Sequence, residues 1–199
     1  MESRAKIAGH PVHQMLIVFP LGLLVTAIAF DIAYLVSDNS RWAVMAYDLI
    51  AVGVIGGLVA APFGLIDWLG IPSGTRAKRV GLMHGVGNVI VLALFVVSWV
   101  LRRGTVPMPP TEAIVAGLAG GALAVITGWL GGELVDRLGV GVDDGAHLDS
   151  PSSLSALPAA TGLGGAARAV AAMGWSGVER RIHPTPAYVG VERRRTALR

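Results

Sequence analysis

Four long apolar runs, separated by short polar stretches, dominate the chain. The first is Met15–Val36, whose only charge is Asp31. The second is Trp42–Leu69, with Asp48 and Asp67 near its two ends. The third is Val80–Leu101, where His84 is the sole ionisable side chain, and the fourth is Ala113–Gly132, which carries no charge. Each run is long enough to cross a hydrocarbon core of about 30 Å at about 1.5 Å per residue. None alternates with the two-residue period of a barrel strand, and in lipid a helix satisfies its own backbone. The connectors Ser37–Arg41, Gly70–Arg79 and Arg102–Glu112 are short, which forces consecutive helices to run antiparallel. The pattern therefore predicts an all-α integral membrane four-helix bundle, up-down-up-down, over residues 15–138 behind a polar lead at 1–14. A cleaved signal peptide is the alternative for the first run, because Ala27-Ile28-Ala29 resembles a cleavage tripeptide. The apolar run continues past that point, which favours a retained span.

From about residue 139 the pattern is lost. The stretch is rich in Gly, Ser, Asp and Pro and predicts a mostly irregular, flexible cytoplasmic tail over 139–199. Ala166–Trp175 is expected to form a short helix on the membrane, and the basic, Pro-broken end is expected to lie near anionic lipid or a partner.

Composition narrows the function classes. Hydrophobic residues make up 53% and charged residues 15%, with a mean hydropathy of +0.63. These values argue against a soluble enzyme, a disordered regulator and a coiled coil. With no cysteine there is no disulfide, thiolate metal site, iron–sulfur ligation or cysteine nucleophile, so any metal or haem must be held by His, Asp, Glu or Met. The net charge of +3 and pI of about 9.8 point to basic loops against a lipid bilayer. Nucleic acid is not an expected partner, because no basic run is interleaved with aromatics. Arg4, Lys6, Arg76, Lys78, Arg79, Arg137 and the tail outweigh Arg41, Arg102 and Arg103 on the other side. Both termini and the second connector are therefore expected to be cytoplasmic.

Alternating helix directions bring the starts of spans one and three level with the ends of two and four. One face of the bundle thus collects His10 and His13, Asp67, His84 with Asn88 one turn later, and Glu133 with Asp136. His84 lies about a turn inside its span, where an ionisable group is expensive and faces the bundle interior. Spans one and three are commonly diagonal across such a bundle, so a His on each could ligate one metal from opposite sides. The tentative ligand set is His10, His13, His84, Asp67 and Glu133, with Asn88 beside it, for haem b or a single first-row metal ion. His10, His13 and the acids also have an interfacial reading, the histidines at a helix start and the acids at helix ends, which His84 does not share. Towards the other face, Asp31 and Asp48 lie at similar depth, about two turns inside, with Arg102 and Arg103 ending the third span nearby. A carboxylate in lipid is protonated or paired, so an Asp–Arg pair is expected, with a proton relay as the functional alternative. Small-residue pairs at four-residue spacing (Gly53/Gly57, Gly81/Gly85, Gly117/Gly121, Gly128/Gly132, Ala60/Gly64) are expected at helix contacts or at a dimer seam.

These residues carry a family resemblance. Gly9-His10-Pro11-Val12-His13 followed by Met15–Pro20, then Phe30-Asp31, Ile66-Asp67-Trp68 and Ile71–Thr75, resemble a bacterial multi-pass membrane family, domain of unknown function 2231. So do His84 with Asn88, and Gly128–Val135 running on to Gly139–Val142. The resemblance covers about residues 7–143 and implies a bacterial inner-membrane protein. Some members are fused to Rieske-type iron–sulfur domains, which implies electron transfer; this chain has no cysteine for such a cluster. Members carry His where this chain has Glu133, a departure that bears on any metal set there. The leading expectation is a small haem- or metal-binding subunit supporting membrane electron transfer with a redox partner, and without independent catalytic activity. The alternatives are a structural or assembly subunit, and a proton-coupled transporter component acting as a homo-oligomer.

Overall fold

The computed structural model describes residues 1–162. Ala166–Trp175 and the basic end of the tail lie outside the described residues. The chain divides into two compact units, Met1–Asp143 and Asp144–Arg199. In the described part of the second unit there are turns but no helix or strand. Its local order centres on His147, whose Nδ1 accepts from the Asp149 amide at 3.3 Å while Nε2 donates to the Thr161 carbonyl at 3.1 Å.

The first unit begins with a two-stranded hairpin, β1 (Lys6–Ile7) against β2 (His10–Pro11), turned by Ala8 and Gly9 at positive φ. Five helices follow: α1 (Val12–Leu16), α2 (Val18–Ser37), α3 (Ser40–Gly70), α4 (Arg76–Arg102) and α5 (Thr111–Gly132). Glu133–Arg137 continues α5 as one π-helical turn, with the Leu138 amide donating to the Glu133 carbonyl. Helices α1 and α2 form one span, Val12–Ser37, loosened at Ile17. Pro20 is the cause, since it has no amide to donate to the Leu16 carbonyl. With α3, α4 and α5 running on to Arg137, four helices are long and apolar enough to cross a membrane. They form the expected up-down-up-down bundle, with α2 packed mainly on α3, α4 mainly on α5, and α2 diagonal to α4.

Local chemistry sets the turns. Asp38 adopts the left-handed conformation that ends α2, and the Asn39 side chain accepts from the Arg41 amide to start α3. Thr75 caps α4 in the same way by accepting from the Lys78 amide. The core holds Leu24, Ala27, Ala46, Ile50, Val91 and Phe95, one cluster drawn from α2, α3 and α4. Glycines let the helices close on it. A Cβ at Gly53 would stand 2.7 Å from Leu24, and one at Gly57 2.6 Å from Leu92. Gly121 faces Ile28 even more closely, whereas Gly85 and Gly128 meet nothing. The 53/57 and 117/121 pairs therefore line helix contacts, and the 81/85 and 128/132 pairs do so at one member at most.

One end of the bundle is built around Asp31 and Arg102. Both Asp31 oxygens accept from the guanidinium at 2.7 Å, and the two side chains are 1% and 0% exposed. Arg102 Nε also donates to Ser98 Oγ at 3.3 Å, and that hydroxyl donates to the Ala113 carbonyl of α5 at 2.6 Å. Gly117 makes the room: a Cβ there would lie 3.3 Å from Ser98 Oγ and 3.6 Å from Asp31 Oδ2. Asp48, at similar depth, points outward from α3 and is exposed.

At the opposite end the first eleven residues are tied down rather than loose. Asp67 accepts from Ser3 Oγ at 2.8 and 2.9 Å and from the Arg4 amide at 2.8 Å. The Val12 amide donates to the Ala5 carbonyl, and the Gly141 amide donates to the Met1 carbonyl. Lys6 pairs with Asp143 and, at 2.8 Å, with Glu2. These acids raise the Lys6 ammonium above its usual value, Asp143 most strongly through its hydrogen bond.

Removing one member of the interior pair leaves the other buried and uncompensated. Arg102→Ala should destabilise the bundle by about 3–5 kcal/mol. Asp31→Leu/Arg102→Met together should recover much of that loss, both read as thermal midpoints in detergent. At the other end the sign follows from a raised lysine. The Lys6 contribution is complete below about pH 10.5 and is lost as pH rises through the higher folded-state value. Proteolysis within residues 1–11 should therefore accelerate above that pH in the parent protein, and Asp143→Asn should accelerate it already at neutral pH.

Candidate functional site

His13 and His84 come from helices on opposite sides of the bundle, yet their rings lie 6.5 Å apart, centre to centre, with planes at 88°. His13 is set by α1, which starts directly after the hairpin, and His84 sits about two turns into α4. Each ring is anchored the same way. His13 Nδ1 donates to the Ala60 carbonyl of α3 at 3.0 Å, and His84 Nδ1 donates to the Thr127 carbonyl of α5 at 2.8 Å. A carbonyl only accepts, so in the neutral ring Nδ1 carries the hydrogen and Nε2 keeps the lone pair. Glycines back both rings: a Cβ would stand 2.8 Å from His13 Cε1 at Gly64 and 3.1 Å from His84 Cε1 at Gly131. These contacts account for Gly64 and Gly131, which spacing alone assigns to helix packing or leaves without a role.

Asn88 and Thr127 complete the polar core here. Asn88 Nδ2 donates to the His84 carbonyl at 2.8 Å and lies 3.2 Å from His84 Nε2, while Thr127 Oγ1 donates to Asn88 Oδ1 at 3.1 Å. Thr127 is a site residue that the sequence reading missed. Its only signal is a hydroxyl four residues before Gly131 on a span otherwise almost free of polar side chains.

The acids do not join the histidines. Asp67 is occupied by Ser3 and the Arg4 amide, as above. Glu133 accepts from Arg76 at 2.6 Å. His10 sits in β2 and is exposed. Asp31 is locked to Arg102 at the far end, and Asp48 is on the outer surface. Among the described residues no group of three or more His, Asp or Glu side chains is placed to hold a metal ion. What the structure assembles is a two-histidine set with both rings oriented by backbone, an arrangement that also occurs where imidazoles serve as ligands.

That donor set can be tested against the expected cofactors. Two imidazoles flanking one metal have ring centres about 6 Å apart, from metal–nitrogen bonds of about 2 Å and about 1 Å from nitrogen to ring centre. The observed spacing fits. A bare ion between the rings would find only two protein ligands, so a centre that brings further ligands of its own, as haem does, would suit the pair of His13 and His84 better.

Comparison with known proteins agrees with the fold. No curated protein and no solved structure matches the chain. Residues 9–144 match the family described as predicted membrane protein (DUF2231), a span that includes all four helices, both histidines and the Asp31–Arg102 pair. The chain belongs to that family.

Proposed function

We propose that this protein is a small membrane subunit that holds one metal centre between His13 and His84, with haem b iron as the centre a two-histidine set suits best. The observation that carries the reading is the pair of rings 6.5 Å apart, each with Nδ1 held by a backbone carbonyl of a neighbouring helix. Bound haem would supply one-electron exchange, and a redox partner protein would be needed to use it. The chain's own part is to orient the two Nε2 lone pairs, to shield them within the bundle, and to cover that end with the hairpin.

A second reading has its own observation. Both histidines already tie one helix to another, and the Asn88 amide lies next to His84 Nε2. That is what a structural or assembly subunit requires, with the imidazoles acting as interhelical hydrogen-bond donors.

Haem titration of the detergent-purified full chain separates the two. On the first reading, added haem binds at one equivalent, with a low-spin Soret band that shifts on dithionite reduction. His13→Ala and His84→Ala should each lose that spectrum, and His147→Ala should keep it. On the second, the spectrum of added haem is that of free haem, and the two variants lower only the thermal midpoint.

The orientation inferred from the basic residues is tested separately. Within a bacterial inner membrane, a reporter inserted near Gly74 should read cytoplasmic and one near Pro109 the opposite side. The reverse pair of signals would invert the assignment.

A further inference from the structure

The first span and α5 touch at one level and part below it. Ile28 of α2 meets α5 at Gly121, where a Cβ would collide with its side chain. Gly128 and Gly132 lie seven and eleven residues further along α5. At about 100° per residue they share the Gly121 face to within about 20°. Both are exposed. Among the described residues a Cβ at Gly128 would meet nothing within 4 Å, and one at Gly132 only the Asp136 carboxylate just beyond it. The first span runs the opposite way, so the residues at matching depth on the Ile28 face are Leu21 and Ile17. They are 53% and 36% exposed.

A wedge-shaped cleft therefore opens on the side of the bundle between the first span and α5. It forms because the first span leans on α3 below Ile28: a Cβ at Gly56 would stand 3.3 Å from Pro20 Cδ, and Gly64 backs His13. The histidines form its inner wall. His13 is about 60° round from Ile28, and Gly131, which backs His84, is about 80° round from Gly121. Each turns to the side that carries the core contacts of Leu24 and Gly120, and both rings are half-buried.

The aqueous end of the cleft is closed. The Met1 ammonium donates to the Gly139 carbonyl at 2.9 Å, and the Gly141 amide donates to the Met1 carbonyl. A Cβ at Gly141 would stand 2.5 Å from Gln14 Nε2, so the segment after α5 lies across the start of the first span. The side of the cleft faces lipid. The fourth span covers about 40 Å over its 27 residues. With the excess over a core of about 30 Å shared between its ends, Gly128, about 14 Å from Arg137, is inside the hydrocarbon. Exposed Val25 and Val125 border the mouth. A hydrated ion would have to shed its water to enter there, whereas a flat apolar macrocycle would not.

We propose that this cleft is the outer part of the two-histidine centre, which a lipid-borne haem enters edge first over Gly128 and Gly132 and occupies while His13 and His84 hold its iron. The proposal rests on the haem reading above and adds the source of the ligand, its route and the glycines that make room for it. The test uses the full chain in lipid nanodiscs, with haem offered from donor vesicles and uptake followed by the low-spin Soret band. Gly128→Phe puts a ring into the cleft and should slow uptake several-fold and lower the final occupancy. Gly128→Ala should load nearly as the parent does, and so should Ile55→Phe, on the exposed outer face of α3. A nitroxide attached to Gly128→Cys, in a chain with no other thiol, should collide with dissolved oxygen and not with a water-soluble nickel complex. Its oxygen collisions should fall when haem is added. Gly128→Phe protein that loads as fast and as fully as the parent would overturn the cleft and leave the two-histidine centre standing. Collisions with the nickel complex would overturn the opening to lipid. A parent that takes up no haem would overturn the occupant together with the reading it rests on.

Discussion

A guanidinium and a carboxylate completely removed from solvent have to be matched in full, and the Arg102 end of the bundle is arranged around that requirement. Asp31 comes from α2, Arg102 and Ser98 from α4, and the Ala113 carbonyl from α5, so one network fixes three helices in register. Gly117 has no side chain because the network occupies the space one would need. Such a pair is weak evidence for stability on its own, since desolvation offsets most of the attraction. Its effect is on specificity. A helix slipped by one residue would leave a buried charge without a partner, and in lipid no water is available to take its place.

The other end uses neutral donors for the same purpose. His13 and His84 each reach a backbone carbonyl on a neighbouring helix, while the acids nearby are held by Ser3, the Arg4 amide and Arg76. Polar groups therefore sit in the interior at two levels, an ionic one and an imidazole one, separated by the apolar cluster of Leu24, Ile50, Val91 and Phe95. At the ionic level each nitrogen of Arg102 and each carboxylate oxygen of Asp31 has a partner. At the imidazole level the Asn88 amide lies 3.2 Å from His84 Nε2, while His13 Nε2 keeps its lone pair, and the proposed centre would have to displace the Asn88 contact.

The spans were legible because long uncharged runs have few alternatives in lipid, and depth could be counted along each one. Counting set Asp31 and Asp48 level with each other and put Arg102 at the end of the third span on the same side. It gave no azimuth, so it could not show that Asp31 turns inward to Arg102 and Asp48 outward. The same limit applies to the histidines. Parity of helix direction put His10, His13 and His84 at one end, but a two-residue hairpin carries His10 to the surface while α1 turns His13 inward. Residues 1–14 read as a polar lead because their order is tertiary: Ser3 is held by Asp67, and Lys6 by Asp143. The two glycines behind the rings carried no distinguishing mark among the 27 of their kind in the chain.

The strap formed by the first eleven residues has a consequence for the order of assembly. Its anchors, Asp67 and Asp143, are made much later than the strap itself, and the second emerges only after the fourth helix. Contacts so distant in sequence form late, because the intervening chain must already be in place. During synthesis the His13 side of the bundle therefore stays uncovered from the insertion of α1 until the segment after α5 arrives. Closure of the strap is then the last step in covering that end of the bundle.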